Sequence, residues 1–279
     1  MSDLTSPKQI SALLERYGFR FSKALGQNFL ISPHIPVKIA ENAGLTPETT
    51  VLEIGPGIGS LTRELSLRAK RVLTVEVDPR LYPLLNETLA DYPNVTLVRK
   101  DILKTDLQKL LEGETDPVVC ANLPYNITTP ILMHLLRNGP RFRSITVMVQ
   151  KEVAQRFCAK RGSKDYGAVT LLLQWYTRPE LLFNVPSTCF MPRPRVESAV
   201  LHLKAIDPPY DTDPDRMFCL IRAGFALRRK TLQNNLAALG ISKQETAEAL
   251  TAFGLTSSAR AEDLTLENFA ALANRFSIQ

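Results

Sequence analysis

Residues able to bind or transform a nucleotide follow the first four predicted strands of the chain, one group after each strand. In chain order these groups are Gly55 with Gly57, then Glu76, then Asp101, and then the segment Asn122–Tyr125. Open α/β sheets bind ligands outside the carboxyl ends of their strands, so we expect the four groups to meet at one edge. A carboxylate after the second strand suits the hydroxyls of a ribose, and one after the third suits an exocyclic amino group of a base. The sequence therefore predicts a site for an adenosine-containing cofactor.

The segment 51–65 predicts a strand, a glycine turn and a helix. Gly55, Gly57 and Gly59 interrupt an apolar run, and such a turn lets the backbone approach a ligand where side chains would collide. Glu76 follows about 20 residues later, where nucleotide-binding folds place the acid that accepts hydrogen bonds from a ribose. A glycine triplet alone is weak evidence, and Glu76 can also be interpreted as a polar strand end.

The segment Asn122-Leu123-Pro124-Tyr125 suits a reaction at the exocyclic amine of a base, and it resembles the Asn-x-Pro-aromatic motif of amino methyltransferases. Such an amine is a poor nucleophile because its lone pair is delocalised into the ring. The Asn122 side-chain oxygen and the Leu123 carbonyl would hold its hydrogens and favour a tetrahedral nitrogen. Pro124 fixes the turn, and Tyr125 offers a stacking face for a flipped-out base, worth roughly 1–3 kcal/mol. The alternative is a strand-to-helix turn built for purely local reasons.

The elements that must position these residues alternate between strand and helix, which predicts a mostly parallel α/β sheet covered on both faces. The predicted strands are 50–54, 71–77, 95–99, 117–121 and 144–150, and the helices between them are 59–69, 79–91, 104–111 and 129–138. Consecutive strands at 169–176, 181–185 and 198–205 predict an antiparallel hairpin at the edge of this sheet. Helices at 8–18 and 33–43 precede the sheet. Helices at 213–227, 229–239, 243–253 and 264–276 follow a proline-rich linker at 207–211.

Composition limits the class of protein. A hydrophobic content of 44% and a charged content of 22% are typical of a soluble globular chain. We expect no membrane association, because no apolar run reaches the ~20 residues of a membrane span, and the N-terminus lacks a secretory pattern. Four scattered cysteines without a Cys-x-x-Cys pair favour a reducing cytoplasm over disulfides or zinc. The three histidines are far apart, so we predict no metal site.

Net charge favours a polyanionic partner. The formal charge is +6 and the sequence pI is about 9.2, which is compatible with nucleic-acid binding. Arg222, Arg228, Arg229 and Lys230 are predicted to contact RNA phosphates from amphipathic helices. Further basic residues occur at Arg16, Arg20, Lys23, Arg193 and Arg195. For an arbitrary protein, a basic run on an amphipathic helix would be a solvated face.

The chain resembles the ribosomal RNA small-subunit (16S) adenine dimethyltransferases of the kasugamycin-sensitivity type. The segments that carry this resemblance are Leu25–Leu30, Glu53–Thr62, Asn122–Tyr125, Phe190–Ser198 and Phe225–Leu232. The resemblance implies a Rossmann-like sheet that binds S-adenosylmethionine and a small helical C-terminal domain. The residues it predicts to contact the cofactor are Asn28, Leu30, Gly55, Gly57, Glu76, Asp101 and Asn122. Catalysis is predicted to involve Asn122, Leu123, Pro124, Tyr125 and Phe190, with Tyr125 and Phe190 flanking the target adenine.

We therefore predict a catalytic, S-adenosylmethionine-binding domain over residues 1–206, with an N-terminal helical segment at 1–45, and a helical RNA-binding domain over 207–279. The predicted activity is N6-dimethylation of adjacent adenosines in 16S rRNA during late small-subunit biogenesis, by a cytoplasmic monomer without a metal. Three alternatives remain open at this point. They are a large-subunit rRNA methyltransferase of the macrolide-resistance type, an assembly or transcription factor without turnover, and a dinucleotide oxidoreductase.

Overall fold

The computed structural model describes residues 4–22 and 25–276, so the basic residue Lys23 lies outside the described residues. The strands are β1 Phe29–Leu30, β2 Thr50–Ile54, β3 Arg71–Glu76, β4 Val95–Arg99, β5 Val118–Asn122, β6 Ser144–Gln150, β7 Thr177–Val185, β8 Phe190–Met191 and β9 Ser198–Ala205. The helices are α1 Pro7–Arg16, α2 His34–Glu41, α3 Ser60–Ser66, α4 Tyr82–Thr88, α5 Leu107–Leu110, α6 Thr128–Asn138, α7 Lys151–Phe157, α8 Ala168–Tyr176, α9 Pro214–Gly224, α10 Leu232–Leu236, α11 Lys243–Ala252 and α12 Leu266–Arg275.

Within the described residues, seven strands form one sheet in the order β4-β3-β2-β5-β6-β9-β7. The pairs among β4, β3, β2, β5 and β6 are parallel, and β9 pairs antiparallel with β6. The fold class predicted from the sequence is confirmed: a mostly parallel sheet with an antiparallel edge. The chain runs outward from β2 to β4 and then restarts at β5 on the other side of β2, which places the switch point between β2 and β5. Such a switch point forms a crevice outside the carboxyl ends of the strands.

The chain divides into two compact units. The first comprises Met1–Ala154 and Glu180–Ala205, and the second comprises Gln155–Pro179 and Ile206–Gln279. In the first unit, every residue of β2 is buried, which explains its apolar residues Val51, Leu52 and Ile54. The buried face of α1, with Ile10, Leu13 and Leu14, packs into one cluster with Phe29, Ile58 and α4. This cluster fixes the N-terminal segment against the glycine turn.

The second unit is a helical cluster, and it corrects two expectations. Residues 169–176, predicted as a strand, lie in helix α8, whose Leu171 and Trp175 join the same core as Phe218 and Phe269. The Trp175 and Phe218 rings meet edge to face, with centroids 6.1 Å apart. The segment 155–179 therefore belongs to the compact unit of the C-terminal helices, whereas the sequence had assigned it to the domain 1–206.

The basic run 228–230 also lies in a different element from the one predicted. Helix α9 ends at Gly224 and helix α10 begins at Leu232, so Arg228, Arg229 and Lys230 lie in the turn between the two helices. The Asn235 side chain stabilises this break, because its Nδ2 donates hydrogen bonds to the carbonyls of Gly224 and Leu227. In the described part of the chain, every helix is too short or too polar to cross a membrane.

A candidate active site at the carboxyl edge of the sheet

A cavity of about 340 Å³ opens at the carboxyl ends of β2, β3 and β5, at the switch point between β2 and β5. The loop after β4 and the segment 25–30 complete its wall. The predicted site residues that line it are Asn28, Leu30, Gly55, Gly57, Glu76, Asp101, Asn122, Leu123, Pro124 and Tyr125. All seven residues predicted to contact the cofactor therefore line one cavity within one compact unit, and so does the whole segment Asn122–Tyr125.

The three glycines of the turn have different surroundings. Gly55, Gly57 and Gly59 all have left-handed backbones, with φ of +68°, +60° and +93°. A Cβ at Gly55 would meet no atom within 4 Å, whereas one at Gly57 would lie 3.0 Å from Cδ1 of Phe29. A Cβ at Gly59 would lie 3.0 Å from Cδ2 of Leu89. Only Gly55 therefore keeps space open for a ligand, and the other two glycines allow neighbouring protein to pack closely.

Glu76 ends β3 as an almost fully buried carboxyl group, with 6% of its surface exposed. Its Oε1 accepts hydrogen bonds from the backbone N–H groups of Val77 at 2.9 Å and Asp78 at 2.7 Å. Burial raises the pKa of Glu76 to about 7, although both backbone bonds oppose this rise. Because both bonds go to Oε1, Oε2 keeps its capacity to accept from a ligand in the cavity.

Glu53 is a second buried carboxyl group in the cavity wall, and the sequence analysis assigned it no role. It lies on β2 with 1% of its surface exposed, and burial raises its pKa to about 7, against the opposing influence of the Thr62 and Thr74 hydroxyls. Among the described residues, no group completes a hydrogen bond in ordinary geometry to Oε2 of Glu53. A single carboxylate inside an otherwise apolar, buried parallel strand was the signal that could have marked it.

Asp101 follows β4 and shapes the next part of the wall. Its Oδ1 accepts from the N–H of Leu103 at 3.0 Å and so caps the short 3₁₀ turn Ile102–Lys104. The Thr105 hydroxyl donates to the Asp101 carbonyl at 2.8 Å. With one oxygen used for the cap, the carboxylate is held at the cavity and retains acceptor capacity.

Asn122 ends β5 and presents an unused acceptor. Its Nδ2 donates to the Asn28 carbonyl at 3.3 Å. This bond fixes the orientation of the side-chain amide and leaves Oδ1 as the polar atom of Asn122 still to be paired. This Oδ1 is buried, and no described residue provides it with a hydrogen-bond donor. A buried acceptor without a donor costs about 1–3 kcal/mol, so the arrangement is best explained by a ligand that donates to Asn122.

The Tyr125 side chain is held by a contact with the antiparallel strand β9. Its hydroxyl lies 2.5 Å from Oγ of Ser198, which is fully buried. Burial raises the pKa of the Tyr125 phenol, with the Ser198 bond acting in the opposite direction. The backbone of the turn is also tied: Leu123 donates to the Met148 carbonyl at 3.1 Å. The hydroxyl of the ring and the backbone of the turn that carries Tyr125 therefore both have fixed partners.

Phe190 is placed differently from the expectation. It pairs with Leu30 in the β1–β8 register, is 2% exposed, and packs in the core cluster that contains Leu30, Ile39 and Met148. It is not among the described residues that line the cavity. The sequence could not show this, because an aromatic residue near a proline-rich loop suits a core position as well as a binding face.

The four residues predicted to contact RNA are all exposed and belong to the second compact unit. Arg228 has local partners: its guanidinium lies 3.7 Å from the Glu262 carboxylate and donates to the Lys164 carbonyl. Within the described residues, Arg222, Arg229 and Lys230 form no ion pair. Likewise, no cluster of three histidine, cysteine or acidic side chains suited to a metal occurs in residues 4–22 and 25–276.

Comparison with known proteins decides the family. A family model described as ribosomal RNA adenine dimethylase matches residues 18–277. The chain belongs to the ribosomal RNA adenine dimethylase family. Curated relatives named ribosomal RNA small subunit methyltransferase A include one from Geobacillus kaustophilus, 46% identical over 98% of this chain and 96% of the relative. One from Alkaliphilus oremlandii is 43% identical over 98% of both chains.

Solved structures of rRNA adenine dimethylase relatives share the fold. A dimethyladenosine transferase from Plasmodium falciparum matches with a TM-score of 0.74 and 27% identity, over 88% of this chain and 96% of that chain. The 23S rRNA methyltransferase ErmE matches with a TM-score of 0.69 and 28% identity, over 88% of this chain and 98% of that chain. The family assignment therefore agrees with the resemblance seen in the sequence, and it favours an active methyltransferase over a dinucleotide oxidoreductase.

Proposed function

We propose that this chain transfers methyl groups from S-adenosylmethionine to the N6 amines of adjacent adenosines in 16S rRNA, within the small ribosomal subunit or its precursor. The observation that carries the proposal is the buried, unpaired Oδ1 of Asn122 at the switch point. An exocyclic amine supplies the donor that this oxygen lacks. Names of relatives at 43–46% identity support the small subunit as the site of action. We infer a cytoplasmic monomer that acts late in subunit assembly.

The cavity residues fit S-adenosylmethionine. The open space beside Gly55 admits a ligand, Oε2 of Glu76 suits the ribose hydroxyls, and Asp101 suits the amino group of the cofactor's adenine. Asn28 and Leu30 close the wall beside Asn122. When bound, this co-substrate supplies an electrophilic methyl group. We infer no metal requirement, because methyl transfer from a sulfonium needs neither a Lewis acid nor a redox centre.

The remaining chemistry belongs to the protein's own groups. Oδ1 of Asn122 and the Leu123 carbonyl accept hydrogen bonds from the two N–H groups of the unmodified target amine. These bonds draw the nitrogen out of conjugation with the ring and direct its lone pair. Neither group is a base near neutral pH, so they orient the amine and leave its proton to be lost to solvent after transfer. Pro124 restrains the turn, and the Tyr125 ring supplies a stacking face for the flipped-out adenine. Catalysis then depends on positioning rather than on a covalent intermediate.

Phe190 is buried in this structure, whereas the basic residues proposed to bind RNA are exposed. Phe190 is proposed as the second face for the adenine, which requires its ring to leave the buried position described above. Arg222, Arg229 and Lys230 are exposed and proposed to contact RNA phosphates, while Arg228 must first give up its contacts with Glu262 and Lys164. Phosphate contacts of this kind give affinity without sequence specificity.

The 23S rRNA enzyme is the nearest alternative, since ErmE shares the fold at 28% identity. The deciding experiment offers labelled S-adenosylmethionine and either purified small subunits from an unmethylated strain or purified large subunits, and then maps the modified nucleosides. We expect dimethyladenosine at two adjacent positions of 16S rRNA and no label in 23S rRNA. Label only in 23S rRNA would reject the proposed substrate. Binding without any transfer would reject the enzymatic function in favour of an assembly factor.

A further inference from the structure

Asp78 is a buried carboxylate just outside the cavity, and its contacts reach both sides of the site. Its side chain is 2% exposed. Oδ1 accepts from the N–H of Arg80 at 3.1 Å and from its Nε at 2.8 Å. Oδ2 accepts from Nη2 of Arg80 at 2.6 Å and from Nε2 of Gln27 at 2.7 Å. The Arg80 guanidinium, together with Gln27, holds the pKa of Asp78 below its usual range.

Gln27 and Arg80 connect this carboxylate to the N-terminal segment. Oε1 of Gln27 accepts from the N–H of Ser22 at 2.9 Å. Nη1 of Arg80 donates to the Arg20 carbonyl at 3.1 Å, and its guanidinium lies 5.2 Å from the centre of the Phe19 ring. Both described stretches of this segment, 19–22 and 25–30, are thus tied to one buried anion. Phe19 also belongs to the apolar cluster that α1 and α4 form with Phe29 and Ile58.

The backbone of Asp78 and the neighbour of Gln27 in turn contact residues proposed to bind the cofactor. The N–H of Asp78 donates to Oε1 of Glu76, which fixes the carboxyl group that is proposed to accept from the ribose. Gln27 precedes Asn28, whose carbonyl holds the Asn122 amide. We propose that Gln27, Asp78 and Arg80, here called the Asp78 junction, are positioning residues that set the cofactor acid and the N-terminal wall in one geometry. This inference rests on the proposed function, because it assigns the junction to the binding of S-adenosylmethionine.

An exchange of amide and carboxylate tests the junction. Gln27→Glu places two carboxylates together and removes the donor to Oδ2. Asp78→Asn leaves one acceptor oxygen for both Arg80 and Gln27. The double variant Gln27→Glu/Asp78→Asn restores a carboxylate–amide bond and the original charge. In that variant the amide oxygen introduced at position 78 can still accept from Nε of Arg80, and the carboxylate introduced at position 27 can still accept from the N–H of Ser22. Nη2 of Arg80 loses its bond to Oδ2, because an amide NH₂ takes the place of that oxygen.

Affinity for S-adenosylhomocysteine and for S-adenosylmethionine is measured by titration calorimetry on the full chain. Each single variant should bind about tenfold or more weakly, the scale of a lost charge-assisted hydrogen bond. The double variant should bind measurably more tightly than either single variant, with the bond of Arg80 to Oδ2 still missing. The loss should appear mainly in the KM for S-adenosylmethionine and less in kcat. If Gln27 only touched the cofactor directly, Asp78→Asn could not rescue Gln27→Glu, so absence of recovery overturns the proposal.

Glu87→Gln is the matched control. Glu87 accepts from Nη1 of Arg16 at 2.8 Å and from the Tyr17 hydroxyl at 2.6 Å, so it also fastens the N-terminal segment, but it has no contact with the end of β3. We expect parental cofactor affinity in this variant. A loss equal to that of the junction variants would show that general loosening of the segment is responsible, and would overturn the proposal.

Two further outcomes are decisive. If one single variant fails to fold in a thermal melt, the double variant is compared with the single variant that folds: tighter binding by the double variant supports the junction, and equal or weaker binding rejects it. If the parent chain binds neither ligand and transfers no methyl group, the proposed function itself is rejected. Parental binding that no junction variant weakens rejects only the junction.

Discussion

Glu76→Gln should have opposite effects on stability and on ligand binding. The structure raises the pKa of the Glu76 carboxyl group from 4.5 to about 7 through burial, with the Asp78 charge adding to the rise. At about 1.4 kcal/mol per pKa unit, ionising this group in the ligand-free protein costs about 3 kcal/mol of folding free energy. Glutamine cannot ionise, and its side-chain oxygen can still accept from Val77 and Asp78.

The sign of the pH dependence follows from linkage. Below about pH 4.5 the carboxyl group is protonated in both folded and unfolded chains, so its raised pKa causes no loss. Between about pH 4.5 and 7 only the unfolded chain releases the proton, and the stability of the parent falls. Above pH 7 the loss is complete. Glu76→Gln should therefore be more stable than the parent at pH 8, by up to about 3 kcal/mol, and its advantage should shrink as the pH falls to 5.

Ligand binding should change the other way. The glutamine oxygen is committed to the two backbone N–H groups, so its NH₂ faces the ribose hydroxyls in place of an acceptor. The affinity for S-adenosylhomocysteine should fall by about 1.5–3 kcal/mol at pH 8. Urea unfolding of the ligand-free chain at pH 5 and pH 8, with calorimetry at pH 8, measures both quantities. A stability difference that is equal at the two pH values would refute the buried charge, and unchanged affinity would remove Glu76 from the ligand site.

Three other predictions concern the target side of the site. Asn122→Ala should lower the single-turnover rate by about 10²-fold, roughly 3 kcal/mol of transition-state stabilisation, with RNA affinity near parental; a parental rate at saturating ligands contradicts the proposed orientation of the amine. Tyr125→Phe and Ser198→Ala should each retain much of the parental single-turnover rate, and the double variant should lose no more of that rate than either single variant. Tyr125→Ala should also impair capture of the flipped-out base. If the losses of the two single variants add up in the double variant, the bond between the two hydroxyls does not position the ring. Replacing Arg228, Arg229 and Lys230 together by alanine should weaken RNA binding and flatten its salt dependence by about 0.7–0.9 log units per lost contact, with cofactor affinity unchanged; an unaltered salt slope would make this turn a merely solvated surface.

The parallel sheet and the cavity wall could be predicted because burial leaves a direct record in the sequence. A strand covered on both faces is mostly apolar; glycines follow β2 at once, and β5 ends at Asn122. Since parallel strands end at the same edge, residues far apart in the chain could be placed together without knowledge of any contact. The same argument found Glu76 and Asp101.

Helix α8 shows where this reasoning fails. Its sequence, Ala168–Tyr176, is apolar on most sides and contains β-branched and aromatic residues, so periodicity does not separate a buried strand from a buried helix. Packing of Leu171 and Trp175, four residues apart, onto the C-terminal helices decides for the helix. The Asp78 junction was hidden for another reason: Gln27 and Asp78 are 51 positions apart, and neither residue type marks its partner.

The three glycines of the turn are restricted by different surroundings, so substitution at each position depends on a different change elsewhere. A descendant that lost the N-terminal segment would relieve position 57 of Phe29, and asparagine, which tolerates a left-handed backbone, could then enter there. Position 59 is restricted by Leu89, by the Thr88 hydroxyl and by its own left-handed backbone, so a smaller residue in place of Leu89 would relieve only part of the restriction. No change elsewhere in the protein would free position 55 if the open space beside it holds the proposed cofactor. Substitutions in such a lineage should therefore accumulate at 57 and 59 first, and glycine should persist at 55 for as long as the ligand is bound.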